Sequence, residues 1–132
     1  MTDIRDKTHR ALKRMLANGP LTAVPRRPAD QELLLALAAS RFEAHRSYRE
    51  NEVNELLTGW LESFCAPFGI DHVTLRRLLV DSRRLTRTRS GSTYRIDPKK
   101  IGEVEADETI EPARVLAEIQ DQRERRKRQH AS

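Results

Sequence analysis

A single cysteine among 132 residues, Cys65, is too little for a disulfide framework or a cysteine-based zinc site within one chain. A reducing cytoplasm is the natural setting for such a composition, and cytoplasmic localisation is the expectation. Histidine is also sparse: His9, His45, His72 and His130 show no mutual spacing of metal ligands. Five glycines form no phosphate-cradling loop and no nucleophile elbow, and no pair of carboxylates stands in a recognisable catalytic frame. No catalytic residue, metal or cofactor is therefore assigned, and the chain is read as a binding protein and not an enzyme. Aromatic residues make up only 5% of the chain, and Tyr48, Phe64, Phe68 and Tyr94 fall in or beside core patterns, which argues against a stacking platform for RNA. Finally, no apolar run approaches the ~20 residues needed to cross a bilayer, and Met1 to Arg10 are mostly polar, so no membrane association is expected.

What the chain does hold is charge. Charged residues reach 34% against 37% apolar, with a net charge of +5 and a pI near 9.9, a balance that favours polyanionic partners. The positive charge is concentrated. Between Arg76 and Arg95 stand seven arginines, Arg76, Arg77, Arg83, Arg84, Arg87, Arg89 and Arg95, with one acid, Asp81, and no lysine. Arginine keeps its charge and donates paired hydrogen bonds to phosphates and guanine edges, so this run has the footprint of a nucleic-acid-binding surface.

Apolar spacing divides the chain into segments. Ile4, Ala11, Leu12, Met15 and Leu16 suit an amphipathic helix over residues 3–18, stopped by Gly19-Pro20. Pro25 and Pro28, with Arg26 and Arg27 between them, make an extended connector. Asp30 is placed to cap a second helix, with one buried stripe of Leu33, Leu34, Leu37, Ala38 and Phe42, ending near Ala44. Residues 45–48 leave room for a turn or short strand. Val53, Leu56, Leu57, Trp60, Leu61 and Phe64 then give the cleanest helical stripe in the chain. Pro67 and Gly69 break that helix, and Asp71 caps the next one, with Leu75, Leu78 and Leu79 inward. On this wheel Arg77 and Arg84 point away from the leucines, while Thr74 and Arg76 flank them. Residues 86–96, turning at Ser90-Gly91-Ser92, read as a hairpin. Beyond Pro98, Glu103, Glu105, Asp107, Glu108 and Glu111 form an acidic linker, after which Val115, Leu116 and Ile119 support a last helix that becomes basic from Arg123 to Arg128.

Three segments carry a resemblance: Tyr48-Arg49-Glu50-Asn51-Glu52-Val53-Asn54-Glu55-Leu56-Leu57, Leu75-Arg76-Arg77-Leu78-Leu79-Val80-Asp81, and Leu85-Thr86-Arg87 with Gly91-Ser92-Thr93-Tyr94-Arg95. In order and residue type they resemble the bacterial domain-of-unknown-function 2087 family, over about the first three quarters of the chain. The resemblance supports the fold more than a function: the family has no established biochemical activity, and some members carry the domain behind a helix-turn-helix of regulator type, while the winged helix-turn-helix plan here comes from three helices followed by a hairpin with the arginines on the third helix and the hairpin. Many relatives have Ser or Thr at the position of Arg49, which with Glu52 would form a capping box; Arg49 cannot accept the hydrogen bond, so this helix start is weaker by ~1 kcal/mol. Relatives also tend to have an aromatic at the position of Arg95, which makes this hairpin the more basic one.

The expected fold is mainly α with a small β-hairpin: residues 1–29 as N-terminal helix and connector, 30–97 as a winged helix-turn-helix, and 98–132 as an acidic linker and basic C-terminal helix, partly disordered and tethered outside the core. The expected function is binding of double-stranded DNA in transcriptional control. In this reading helix 71–84 enters the major groove, and the wing over residues 86–95 lies along the backbone or minor groove. Arg49, Thr74, Arg76, Arg77, Arg83, Arg84, Arg87, Arg89 and Arg95 are the candidate DNA-binding residues. Other uses are open for some of them: Arg77 can pair with Asp81 at i, i+4, Arg76 can pack over Trp60, and Asn54 can serve either a phosphate or its own helix. A homodimer through a terminal helix is expected for two half-sites. The alternative is a protein-interaction module that docks a partner chain.

Overall fold

The computed structural model describes residues 3–90, 92–97, 99 and 106–131. Its elements in chain order are α1 (Ile4–Met15), α2 (Pro28–Ala39), β1 (Tyr48–Arg49), α3 (Glu50–Glu62), α4 (His72–Asp81), β2 (Leu85–Arg87), β3 (Thr93–Ile96) and α5 (Pro112–Ala131). The fold is mainly α with a small antiparallel sheet.

Helix α1 starts at Asp3, whose carboxylate accepts from the Arg5 N–H at 3.2 Å, and buries Thr8, Leu12 and Leu16. After it the chain reverses at Gly19, whose φ of 115° is open to glycine and strained for other residues. Leu21 then pairs in parallel with Cys65 beyond the end of α3: its N–H donates to the Phe64 carbonyl and its own carbonyl accepts from Ala66 N.

Asp30 does not cap α2. Pro28 takes the first helical position, where its missing N–H costs nothing and its φ is already helical, so the helix begins earlier than the aspartate suggests. Asp30 falls in the first turn, buried, and its carboxylate accepts from Arg14 of α1. Nor does α2 bury one stripe: every residue from Leu33 to Ala39 is buried. A helix apolar all round belongs in the middle of its domain, and here α1 and α4 both pack on it. It ends at Ala39 and not near Ala44, because Ser40 turns its hydroxyl back to the Leu37 carbonyl at 2.6 Å and Phe42 is drawn edge-on against the Tyr48 ring.

Tyr48 and Arg49 add a third strand to the expected hairpin. The sheet order is β1-β3-β2, with Tyr48 opposite Tyr94 and Leu85 opposite Ile96. At the start of α3 only half of a capping box forms: the Glu52 carboxylate accepts from Arg49 N at 3.1 Å, and the guanidinium side chain has nothing to return. Val53, Leu57 and Leu61 face the core. Trp60 is half-buried, with its ring edge-on to Phe64 at 4.7 Å.

The last helix departs most from expectation. Pro112, Val115, Leu116 and Ile119 are buried, and the latter three join the same core as α1 and α2, so this half of α5 is not a tether. Arg41, at the end of α2, fixes its approach by donating to Glu111 Oε1 at 3.2 Å and to the Glu108 carbonyl at 3.1 Å. Thr8 Oγ1 accepts from Asp107 N, and His9 meets Glu118 at 2.9 Å. Helices α1 and α5 thus pack their apolar residues Leu12, Leu16, Val115, Leu116 and Ile119 into one chain's core. Glu103 and Glu105 of the expected linker, and Gly91 of the hairpin turn, lie outside the described residues.

Candidate nucleic-acid interface

Helix α4 is positioned by its cap and its leucines. Asp71 Oδ1 accepts from Thr74 N at 2.7 Å, and that hydrogen bond, joined by the Thr74 hydroxyl, holds the carboxyl below its ordinary range. Leu75 and Leu79 are fully buried and Leu78 half-buried, which leaves Val73, Thr74, Arg77 and Asp81 on the outer face. Arg77 makes no ion pair with Asp81; it is exposed, without a hydrogen-bonding partner among the described residues.

Arg76 is turned inward. Its guanidinium donates to Asn54 Oδ1 on α3 and lies 3.3 Å from Glu50 Oε1, the same oxygen that accepts from the Tyr94 hydroxyl at 3.4 Å. Arg76 therefore ties α4 to α3, and the alternatives left open for Asn54 resolve to this bond. The head of Arg76 does not reach outward to solvent as expected; its partners are the polar groups of α3.

Arg84 corrects a larger expectation. The helical wheel points it outward, yet it is 3% exposed, and its Nη2 donates to Glu32 Oε2 of α2 while its Nε has no partner among the described residues. The cause is the way α4 ends. Ser82 closes the helix, Arg83 takes a left-handed φ of 64°, and the N–H groups of Arg83 and Arg84 return to the Val80 and Leu79 carbonyls. This pair of bonds is the Schellman arrangement, and it turns the residue after the left-handed position back against the helix. Arg83 itself is thrown outward and exposed.

On the hairpin, Arg87 is exposed with its guanidinium 6.0 Å from the Tyr94 ring centre, a weak attraction that leaves its donors free. Arg89 is exposed at the tip. The tip is held by hydroxyls that sequence reasoning overlooked: Thr88, Ser90, Ser92 and Thr93 form a chain of side-chain bonds, with Ser90 Oγ to Ser92 Oγ at 2.7 Å. The spacing of four Ser and Thr residues around one glycine was the available signal. Arg95 is exposed but donates from Nε to Ser47 Oγ at 2.9 Å, on the β1 side of the sheet. Arg49, exposed at the α3 start, is on that side too, opposite Thr93.

Between α4 and the hairpin lies a concavity of about 260 Å³ lined by Arg76, Arg77, Arg87, Val80, Tyr94 and Asp81 among others. Arg77 and Arg87 face it from the two elements, with Asp81 the single acid. The structure thus brings Thr74, Arg77, Arg83, Arg87 and Arg89 to the α4 and hairpin surface, engages Arg76 and Arg84 inside the fold, and sets Arg49 and Arg95 by β1. Among the described residues no group of three His, Cys, Asp or Glu could hold a metal ion, and no helix is long and apolar enough to cross a membrane. Burial pushes the Cys65 thiol up to about 12, so it behaves as a small hydrophobe.

Residues 20–96, from the connector through β3, match the family described as "Uncharacterized protein conserved in bacteria (DUF2087)", more than half of the chain. The chain belongs to the DUF2087 family. None of the curated proteins and none of the solved structures compared with it matches. The DUF2087 match includes α2, the sheet, α3 and α4, and therefore every candidate DNA-binding residue; α1 and α5 lie outside it.

Proposed function

We propose that this DUF2087 protein binds double-stranded DNA through α4 and the β2–β3 hairpin, as a cytoplasmic bacterial transcriptional regulator of winged helix-turn-helix type. The supporting observation is the arrangement itself: α2, β1, α3, α4, β2, β3 in that order, with sheet order β1-β3-β2, and four arginines with neither an ion pair nor a side-chain hydrogen bond among the described residues on one helix, its exit and the adjoining hairpin. A helix with an apolar inner face and a polar outer one fits the major groove, and a hairpin beside it fits the backbone. Thr74 and Arg77, on the outer face of α4, are the base-reading candidates. Arg83, Arg87 and Arg89 serve phosphates, which position the protein without carrying sequence information. Arg76 and Arg84 hold the reading helix in place.

A second reading is favoured by one observation. Phe68 is fully exposed on the loop ahead of α4, with φ of 62°, and Val73 in the first turn of α4 is 40% exposed. An aromatic expected in the core and found in solvent suits docking of a partner protein. Titration of wild type, Arg77→Ala, Arg87→Ala and Phe68→Ala against selected and random duplexes at several salt concentrations separates the two. DNA binding requires that Arg87→Ala weaken all duplexes alike, with a log-log salt slope shallower by about 0.9, and that Arg77→Ala cost ~1 to 3 kcal/mol at the selected site with less effect on random DNA. Micromolar or weaker binding to every duplex at low salt, unmoved by either arginine variant, refutes it in favour of the docking reading.

A further inference from the structure

Helix α5 changes character along one face. Pro112, Val115, Leu116 and Ile119 are its buried stripe, and every described side chain from Gln120 to His130 is exposed. At 100° per residue the continuation of that same stripe is Arg123, Arg126, Lys127 and His130. The helix runs alongside α1 in the same direction, as Thr8 meets Asp107, His9 meets Glu118, and the Ala17 carbonyl past the end of α1 accepts from Arg123. Where α1 gives out, the apolar face of α5 turns basic and runs on for roughly two turns of helix.

The charges in this overhang are sorted by face. Its two acids are both used in i, i+4 pairs, Asp121 with Arg125 at 3.1 Å and Glu124 with Arg128 at 3.5 Å. Those four residues share the opposite side of the helix, and acid before base is the stabilising order. The pairs add modest support to a helix segment that has no core to rest on. No acid interrupts the other side, and Arg126 and Lys127 make no ion pair or hydrogen bond with a described residue.

We infer that the Arg123, Arg126, Lys127 and His130 stripe of α5 is a second contact for the phosphate backbone of duplex DNA, separate from α4 and the hairpin. This inference rests on the DNA-binding reading. The stripe has no apolar side chain, so it offers no knobs to another helix and nothing to insert among lipid tails. What remains is recognition by charge, and Arg123 and the Ile119 stripe fix the overhang's direction from the body of the protein. A contact of this kind adds affinity and salt dependence and no base preference.

The test uses the full chain. Wild type, Arg126→Gln/Lys127→Gln, the opposite-face variant Arg125→Gln/Arg128→Gln and the hairpin variant Arg87→Ala are titrated against duplex DNA across a salt series, with a single-stranded RNA of equal length as competitor. The stripe variant should bind every duplex less tightly and lower the log-log salt slope by up to about 1.8, about 0.9 for each phosphate no longer neutralised, while the opposite-face variant keeps more of the slope. Circular dichroism should show unchanged helix content; where it falls, Arg126→Ala/Lys127→Ala preserves helix propensity and decides. A stripe variant that binds like wild type while Arg87→Ala is weakened overturns the inference and leaves the DNA reading standing. Equal losses in the two double variants overturn it in favour of net charge alone, and preferential displacement by RNA overturns the choice of ligand. No binding by wild type removes both readings.

Discussion

Arg84 and Glu32 should respond unequally to substitution, although they form one ion pair. The Arg84 side chain is 4% exposed and that of Glu32 is 48% exposed. Removing one partner of a buried pair costs about 3 to 5 kcal/mol, because the survivor keeps its desolvation penalty without its compensation. That holds for Glu32→Ala, which strands a guanidinium whose Nε already lacks an acceptor, and a loss of about 3 kcal/mol is expected. Arg84→Met differs. The carboxylate left behind turns to water, the methionine fills the space of the arginine stem, and replacement of a buried ion by an apolar group of similar shape is often neutral, so a change within about 1.5 kcal/mol follows. Glu32→Gln keeps an acceptor oxygen and should fall between the two. Urea melts monitored by far-ultraviolet circular dichroism, with equal m-values, give the three differences. Because Arg84 does not reach the surface, Arg84→Met should also leave base preference unchanged. If Arg84→Met costs 3 kcal/mol or more while Glu32→Ala is silent, or if Arg84→Met relaxes preference at one base pair, the buried placement of this arginine is refuted.

Other outcomes follow from the helix ends. Arg83→Gly relieves a left-handed residue that costs about 1 to 2 kcal/mol, partly offset by the freer unfolded chain, so thermal melts should show a net gain of about 0.5 kcal/mol. The same change should weaken duplex binding if Arg83 meets a phosphate; destabilisation would mean that the Schellman turn does not form. Deleting residues 120–132 should leave the melting transition nearly unchanged, whereas deleting 98–132 removes Val115, Leu116 and Ile119 from the core and should abolish or greatly weaken it. Equal stability of the two truncated proteins would return α5 to the status of a tether. Asp71→Ala should cost about 1 kcal/mol at neutral pH through the lost cap. Since the folded state depresses the Asp71 pKa, its ionised contribution is present above the ordinary value of about 3.9 and lost as pH falls through the lower folded one, so the stability gap between wild type and variant should close in acid. A gap that widens on acidification contradicts that sign.

Local chemistry carried the elements whose cause is local. The stripe of Val53, Leu57 and Leu61 and the cap at Asp71 lie where the spacing puts them. Pro28 was as visible as Asp30, and its preference for the first helical position decides where α2 begins. The half-box at Arg49 also follows from residue type alone. Arg83 gave no such warning, since the left-handed position after a helix is usually marked by glycine and here holds an arginine. Nor could Val115, Leu116 and Ile119 announce a core role by themselves: three apolar residues at the start of a basic helix become core only when α1 presents Leu12 and Leu16 to the same interior.

The arginines show how distance along the chain hides a partner. Asp81 lies three positions before Arg84, yet the partner of Arg84 is 52 positions away on α2. Arg76 is met by Glu50 and Asn54 of α3, and Arg95 bonds Ser47, 48 positions earlier. A run of arginine therefore overstates an interface by the number of its members that other elements can reach, and the ones consumed lie where the surrounding helices carry acids. The four of the run with neither an ion pair nor a side-chain hydrogen bond among the described residues, Arg77, Arg83, Arg87 and Arg89, sit on the solvent face of α4, at its left-handed exit, and on a two-stranded projection, the positions no acid of α2 or α3 engages. Their exposure without compensation is what the proposed contact with DNA rests on, and it makes Arg87 a sharper probe of that proposal than Arg84, despite their nearness in sequence.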